Sequence, residues 1–223
     1  MIQSVIFDLD GTLWQPEAVV IPAFKSVFVH LGLEAPADDV LRETLGHPFD
    51  VIWKKVLPGA DATVVSRAHG LMLNAEHHYL YSVDIAPFPG VVDTLQGLRR
   101  RGVATYILSN CQRDYLESVP DRLGIGNLFT ARYCAEDFPG LSKAAMIRAI
   151  RPALARPAVM VGDRFHDMEA GRENNLVTIA CRFGFGHPDE FAGADYTAAN
   201  FCEVQGILAA LFGDQPLVQA ILA

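Results

Sequence analysis

The chain has 223 residues, and 18 Lys plus Arg against 26 Asp plus Glu leave a formal charge of −8. With 51% hydrophobic and 20% charged residues it can fill a packed core, which excludes disordered, collagen-like and low-complexity classes. The acidic balance gives no electrostatic footprint for nucleic acid or an anionic membrane surface, and no apolar run approaches the ~18 residues that span a bilayer.

Length over roughly 150 residues predicts one to two domains. Met1-Ile2-Gln3-Ser4 lacks the basic start of a signal peptide, so a cytoplasmic location is expected. The four cysteines (Cys111, Cys134, Cys181, Cys202) are scattered without a CxxC, which suggests neither a disulfide framework nor a zinc site.

In chain order, Val5-Ile6-Phe7 predicts a buried strand that runs into Asp8-Leu9-Asp10-Gly11-Thr12. Residues 15 to about 85 then read as helix throughout. Phe24, Val27, Phe28 and Leu31 share helical spacing, with Pro22 suited to a first turn. Pro48 opens a second pattern with Val51, Ile52 and Val56, and Val64, Ala68, Leu71, Met72, Ala75 and Tyr79 make a third. Ala86-Pro87 and Pro89-Gly90 mark the return. Val91, Val92, Leu95 and Leu98 predict a helix that stops at Gly102.

Residues 104–108, 132–134, 159–161 and 177–180 are short β-favouring runs with continuous apolar character, the mark of strands buried on both faces of a parallel sheet. Between them, Ala145, Met146, Ala149 and Ile150 form a helical face that starts after Ser142 as N-cap and ends before Pro152. Strands alternating with helices predict a doubly wound α/β domain, with its site at the carboxyl ends of the strands. The helical block after the first strand is expected to be a second domain, fed by crossings near Trp14 and Ala86-Pro87.

Four elements carry chemistry. Asp8 and Asp10 lie at i and i+2, so both carboxylates are expected to emerge on one side of the strand. Two close carboxylates do not both ionise cheaply, which divides the pair into an acid and a nucleophile. Ser109-Asn110 places a hydroxyl and backbone N–H groups at a strand end, suited to an oxyanion such as phosphate; as a bare pattern it also suits a helix N-cap. Lys143 sits in a helix's first turn, against the macrodipole, as if answering another charge. Gly162-Asp163-Arg164-Phe165-His166-Asp167 adds two carboxylates at a fourth strand end, although Asp167 also suits the N-cap of a helix over 168–174. Four converging Asp with one Lys call for a cation, and hard oxygen ligands suit Mg2+.

In this order, Asp8-x-Asp10-Gly11-Thr12, Ser109, Lys143 and Gly162-Asp163-x-x-x-Asp167 resemble the four motifs of the haloacid dehalogenase (HAD) superfamily. Arg182-Phe183-Gly184-Phe185-Gly186 and Ala194-Asp195-Tyr196 resemble the segment downstream of the fourth motif in its phosphoglycolate phosphatase and β-phosphoglucomutase branch. The resemblance implies a Rossmann-like, doubly wound parallel-sheet core over residues 1–14 and 86–223, with an inserted all-α cap over 15–85. It implies a Mg2+-dependent phosphatase acting on a small phosphorylated metabolite through an aspartyl-phosphate. Asp8 would be the nucleophile and Asp10 the acid and base. The metal would be held by Asp8, the Asp10 carbonyl and Asp163, with Asp167 close behind. Thr12 and Ser109 would bind the phosphoryl oxygens, and Lys143 would neutralise charge. Ala144, Arg164 and Gln15-Pro16 depart from the residues many relatives carry.

The alternative within the family is a phosphomutase of the β-phosphoglucomutase type, which shares all four motifs. A dehalogenase fits less well, since Asp10 and Asp163 would have no use there. A receiver-type signalling domain would not carry the long helical insertion, and a non-catalytic binding protein would not need the full reactive set. Substrate choice is expected from the cap, with His47, Lys54, Lys55 and Arg67 as its candidate polar residues and His47, beside Gly46 and Pro48, as the candidate substrate-binding one. Arg99-Arg100-Arg101 reads as charge favouring a helix end rather than as an anion site. His77-His78 read as surface residues, and Cys111 falls near the site without a base to activate it.

Overall fold

The computed structural model describes residues 1–213. In chain order its regular elements are β1 (Ser4–Phe7), α1 (Glu17–Leu31), α2 (Asp38–Arg42), α3 (Phe49–Val56), α4 (Ala62–Ser82), α5 (Val91–Arg100), β2 (Ala104–Ser109), α6 (Arg113–Arg122), β3 (Ala131–Cys134), α7 (Lys143–Ile150), β4 (Ala158–Gly162), α8 (Phe165–Glu173), β5 (Val177–Cys181), β6 (Tyr196–Ala198) and α9 (Phe201–Leu211). The six strands pair in parallel in the order β3-β2-β1-β4-β5-β6, the doubly wound arrangement expected. The strand order reverses between β1 and β4, where such folds open a crevice at the carboxyl ends.

The sheet is covered on both faces because successive residues point to opposite sides. On β1, Val5 and Phe7 join the apolar layer of Val91, Leu95 and Leu98 from α5 and Phe201 and Val204 from α9. Phe7 and Phe201 stack with ring centroids 6.2 Å apart. Ile6, between them, joins the opposite layer of Ala144, Met146 and Ile147 from α7 and Ala170 from α8. Buried apolar surface at about 25 cal/mol per Å2 thus holds both layers, which is why the runs read as continuous rather than alternating.

After β1 the chain turns at Gly11, whose φ of +75° favours glycine. Trp14 then bridges to Pro87, and Phe88 N–H donates to the Leu13 carbonyl at 2.9 Å. The segments that leave β1 and return before α5 therefore run side by side at Trp14 and Pro87. Between them α1 to α4 follow one another with no strand. Val20, Phe24, Val27, Phe28, Trp53, Ala68, Met72 and Leu80 share its core, with Phe24 and Trp53 edge to face at 5.6 Å.

Some boundaries differ from expectation. Pro22 lies in the second turn of α1, not the first, because Pro16 takes the entry position and Val19, Val20 and Ile21 are already buried. The short α2 and β6, the Pro120-containing α6 and the helix α9 carry patterns too brief or too mixed to read. No described helix is long and apolar enough to cross a membrane.

Candidate active site

Asp8 follows β1 directly, and its N–H donates to the Val161 carbonyl of β4 at 2.9 Å. Asp163 follows β4, Lys143 opens α7 behind its N-cap Ser142, and Asp167 lies in the first turn of α8. These chain ends meet at the crevice. Lys143 Nζ donates to Asp8 Oδ1 at 2.7 Å and to Asp167 Oδ1 at 2.6 Å, with all three side chains buried. Asp163 is fixed from two sides. The Thr12 hydroxyl donates to its Oδ1 at 3.2 Å and the Phe185 N–H to its Oδ2 at 2.7 Å. A Cβ on Gly11 or Gly184 would collide with the Asp163 carboxylate and one on Gly186 with the Asp163 backbone carbonyl, so these glycines let two loop segments close on one residue.

One carboxylate oxygen each from Asp8, Asp163 and Asp167 lie within 4.8 Å of one another. Burial, then Asp8 and Asp167, pushes the Asp163 carboxyl well above the usual range. Burial also raises Asp167, to about 6, against the pull of Lys143. Burial alone would lower Lys143, but Asp167 and Asp8 outweigh it and hold it charged. One ammonium does not balance three buried carboxylates. The uncompensated charge and the hard oxygen donors fit a divalent cation of the Mg2+ kind.

Asp10 departs from the expected crowd of four, because its carboxyl is not part of that cluster. The Gly11 turn carries the chain round so that Asp10 Oδ1 accepts from the Trp14 indole N–H at 2.8 Å and the Tyr115 hydroxyl at 3.0 Å. Burial, then Asp8, raises its pKa to about 7. It holds or releases a proton near neutral pH, the property a general acid and base needs. Thr12 likewise differs. Its hydroxyl is committed to Asp163, so it orients that carboxylate instead of presenting a free donor. Asp167 is not an N-cap but the third residue of its helix, where it accepts from the Arg164 N–H at 3.0 Å.

Asp8, Asp10, Ser109, Asn110, His47 and Glu76 line one cavity, of about 40 Å3. Ser109 does not cap α6, whose N-cap is Gln112; its Oγ accepts from the Cys111 N–H at 3.3 Å. Asn110 donates to the Gly46 carbonyl at 2.9 Å, tying β2 to the insertion. Arg164 does the same from β4. It donates to Glu190 at 3.0 Å, to the Leu45 carbonyl, and to His47 Nε2 at 2.8 Å. With Nε2 accepting, His47 Nδ1 carries the proton and donates to His166 Nε2 at 3.2 Å. Burial, then Arg164, lowers His47 to about 4, so it works as a neutral hydrogen-bonding group. Lys54, Lys55 and Arg67 do not line the cavity. They bond Asp50, Glu43 and the His30 carbonyl at exposed sites, because they lie on the outward faces of α3 and α4. Cys111 lines the cavity, but burial raises its thiol well above the usual range, which disfavours a nucleophile.

Two polar cavity residues escaped sequence reasoning, Tyr115 and Glu76. The signal for Glu76 was present: Ala68, Met72, Glu76 and Leu80 are spaced by four and all buried, so an acid interrupts an apolar helix face. Burial, then Asp10, raises Glu76 from 4.5 to about 8. A carboxyl whose pKa is raised by folding stabilises the fold below its unfolded value, and that contribution is lost as pH climbs to the folded value. Stability should therefore fall between pH 4.5 and 8, by up to about 1.4 kcal/mol per pH unit from this group. Glu76→Gln should remove that share, bringing urea midpoints at pH 5 and pH 8 closer together than in the parent. An unchanged gap would contradict it.

A protein-family model described as haloacid dehalogenase-like hydrolase matches residues 5–181. A phosphoglycolate phosphatase of Caulobacter vibrioides is 28% identical over 211 residues, covering 90% of this chain and 88% of its own. One of Pseudomonas putida is 27% identical, covering 82% of this chain and 70% of its own. A solved haloacid dehalogenase-like family hydrolase of Streptococcus pneumoniae superposes with a TM-score of 0.80 at 23% identity, covering 93% of this chain and 98% of its own.

Proposed function

Since it matches the family model over residues 5–181, the chain belongs to the haloacid dehalogenase-like hydrolase family, and on that premise we propose that it is a Mg2+-dependent phosphatase of a small phosphorylated metabolite, working through an aspartyl-phosphate. The observation that carries the reading is the pairing of two carboxyls in different surroundings just past one strand: Asp8 held by the Lys143 ammonium at 2.7 Å, and Asp10 poised with a pKa of about 7.

An Asp8 oxygen attacks phosphorus while the bond from phosphorus to the alcohol oxygen breaks. Asp10 gives its proton to that leaving oxygen. As a carboxylate, Asp10 then takes a proton from a water that attacks phosphorus, releasing phosphate and restoring Asp8. Lys143 keeps Asp8 oriented and offsets negative charge through both steps, and Ser109 and Asn110 bound the space for the phosphoryl oxygens. When bound, Mg2+ held by Asp8, Asp163, Asp167 and the Asp10 carbonyl would draw charge from the phosphoryl group, where phosphoryl transfer gains most of its rate. Thr12 and the glycines at 11, 184 and 186 act through Asp163.

In this reading residues 15–85 form a cap over a core of 1–14 and 86–223. The bonds from Asn110, Arg164 and His166 to residues 45–47 draw the cap over the site, keeping water out until the first step is complete. Release of inorganic phosphate from a panel of phosphorylated metabolites tests the proposal. Turnover of at least one compound is expected with Mg2+, lost in EDTA and regained when Mg2+ returns in excess. Turnover indifferent to EDTA would defeat the metal, and no turnover of any compound would defeat the phosphatase.

A further inference from the structure

Glu76 reaches the cavity from α4 on the insertion, opposite the reacting carboxyls. It is 6% exposed and its carboxyl makes no hydrogen bond to any described residue, although it lines the same cavity as Asp8, Asp10 and Tyr115. A buried polar group without a partner costs stability. An apolar side chain would continue the row of Ala68, Met72 and Leu80 at no such cost, so the acid points to a ligand that supplies what the protein does not.

The rest of the wall narrows that ligand. Val20, Phe24, Phe49 and Ile52 line it, and none of the lining residues is Lys or Arg. The one imidazole there, His47, has its Nε2 occupied by Arg164 and its Nδ1 by His166. A leaving group bearing a carboxylate or a second phosphate would meet Asp10 and Glu76 and no cation. Such a desolvated anion is expensive, and a neutral Glu76 shares one proton with it at most. A hydroxyl would find in Glu76 both acceptor and donor, and an ammonium would find a counter-ion.

We propose that Glu76 receives the leaving group, and that the site selects phosphate monoesters of small alcohols that carry a further hydroxyl or ammonium donor and no second anion. This rests on the reading of Asp8 as the phosphoryl acceptor. It departs from the glycolate leaving group named in the relatives, which carries a carboxylate.

The test compares kcat/KM for glycerol 1-phosphate and ethanolamine phosphate against phosphoglycolate and 3-phosphoglycerate, with acetyl phosphate as a reporter of the chemistry that asks little of leaving-group recognition. The wild-type enzyme should favour the donor-bearing esters by at least about tenfold, mainly through KM. Glu76→Gln should lower the ethanolamine phosphate preference more than that for glycerol 1-phosphate. Glu76→Lys should shift the ratio toward phosphoglycolate by about tenfold or more. Equal use of both classes, a preference for the carboxylate esters, or a preference that survives both substitutions would overturn the assignment. Hydrolysis of acetyl phosphate alongside any of these leaves the phosphatase reading standing, whereas failure on every compound, acetyl phosphate included, brings down that reading and the inference with it.

Discussion

Asp8→Asn should abolish phosphate release, by a factor on the order of 10^3 or more, while leaving the protein folded. The amide keeps the shape and can still meet Lys143, but it cannot form the acyl phosphate, and no other side chain at the crevice replaces it. Cys111 is held as a thiol, and Asp163 and Asp167 are committed to Thr12, Phe185, Arg164 and Lys143. Structural cost should be small or negative. Asp8 raises the energy of ionised Asp163, Asp167 and Asp10, and Lys143 retains its bond to Asp167. In metal-free buffer near pH 7 the thermal midpoint of Asp8→Asn should equal or exceed that of the parent. Residual turnover within tenfold of wild type would remove Asp8 from the nucleophile's place, and a collapsed fold would show that the Asp8 charge is structural.

Sequence spacing revealed the sheet and its active edge because those features are local. Apolar triplets such as Val5-Ile6-Phe7 need burial on both faces, and glycines such as Gly11 need a turn, whatever the rest of the chain does. Asp8, Ser109, Lys143, Asp163 and Asp167 sit within two positions of strand ends or helix starts, so their meeting followed once the strands were placed in parallel. What spacing could not reveal depends on distant partners. Asp10 leaves the carboxylate cluster because Tyr115, more than a hundred residues away in the chain, offers it a hydroxyl. Arg164 binds the insertion because Leu45 and His47 come to it through the fold. Lys54, Lys55 and Arg67 looked equivalent to His47 as polar residues of the insertion, but His47 lies in the turn before α3 while the other three sit on the outward faces of α3 and α4. Glu76 is the intermediate case: its interruption of an apolar row was legible, its position across from Asp10 was not.

Lys143→Met should be the most damaging single change to stability in the absence of metal, because the ammonium is the group that makes a buried set of carboxylates tolerable. Removing one partner of a buried ion pair typically costs about 3–5 kcal/mol, and here two pairs share the lysine, at 2.7 and 2.6 Å. The pH dependence separates this cause from a simple packing defect. Lys143 stays charged across the range from pH 5 to 8, its pKa being raised, so its own titration contributes nothing there. Asp163 and Asp167 already titrate above the usual carboxylate range, and losing the lysine pushes them higher still. Groups whose folded pKa is raised favour the fold at low pH and disfavour it as pH rises. The deficit of Lys143→Met relative to the parent should therefore be modest at pH 5 and grow toward pH 8, as read from urea unfolding in EDTA. At pH 8, a divalent cation that binds only the folded state should recover part of it by mass action, with a larger shift in midpoint than the parent shows. A deficit of the same size at both pH values would mean that the lysine stem, not its charge, supports the fold, and the electrostatic account of the crevice would fail at its centre.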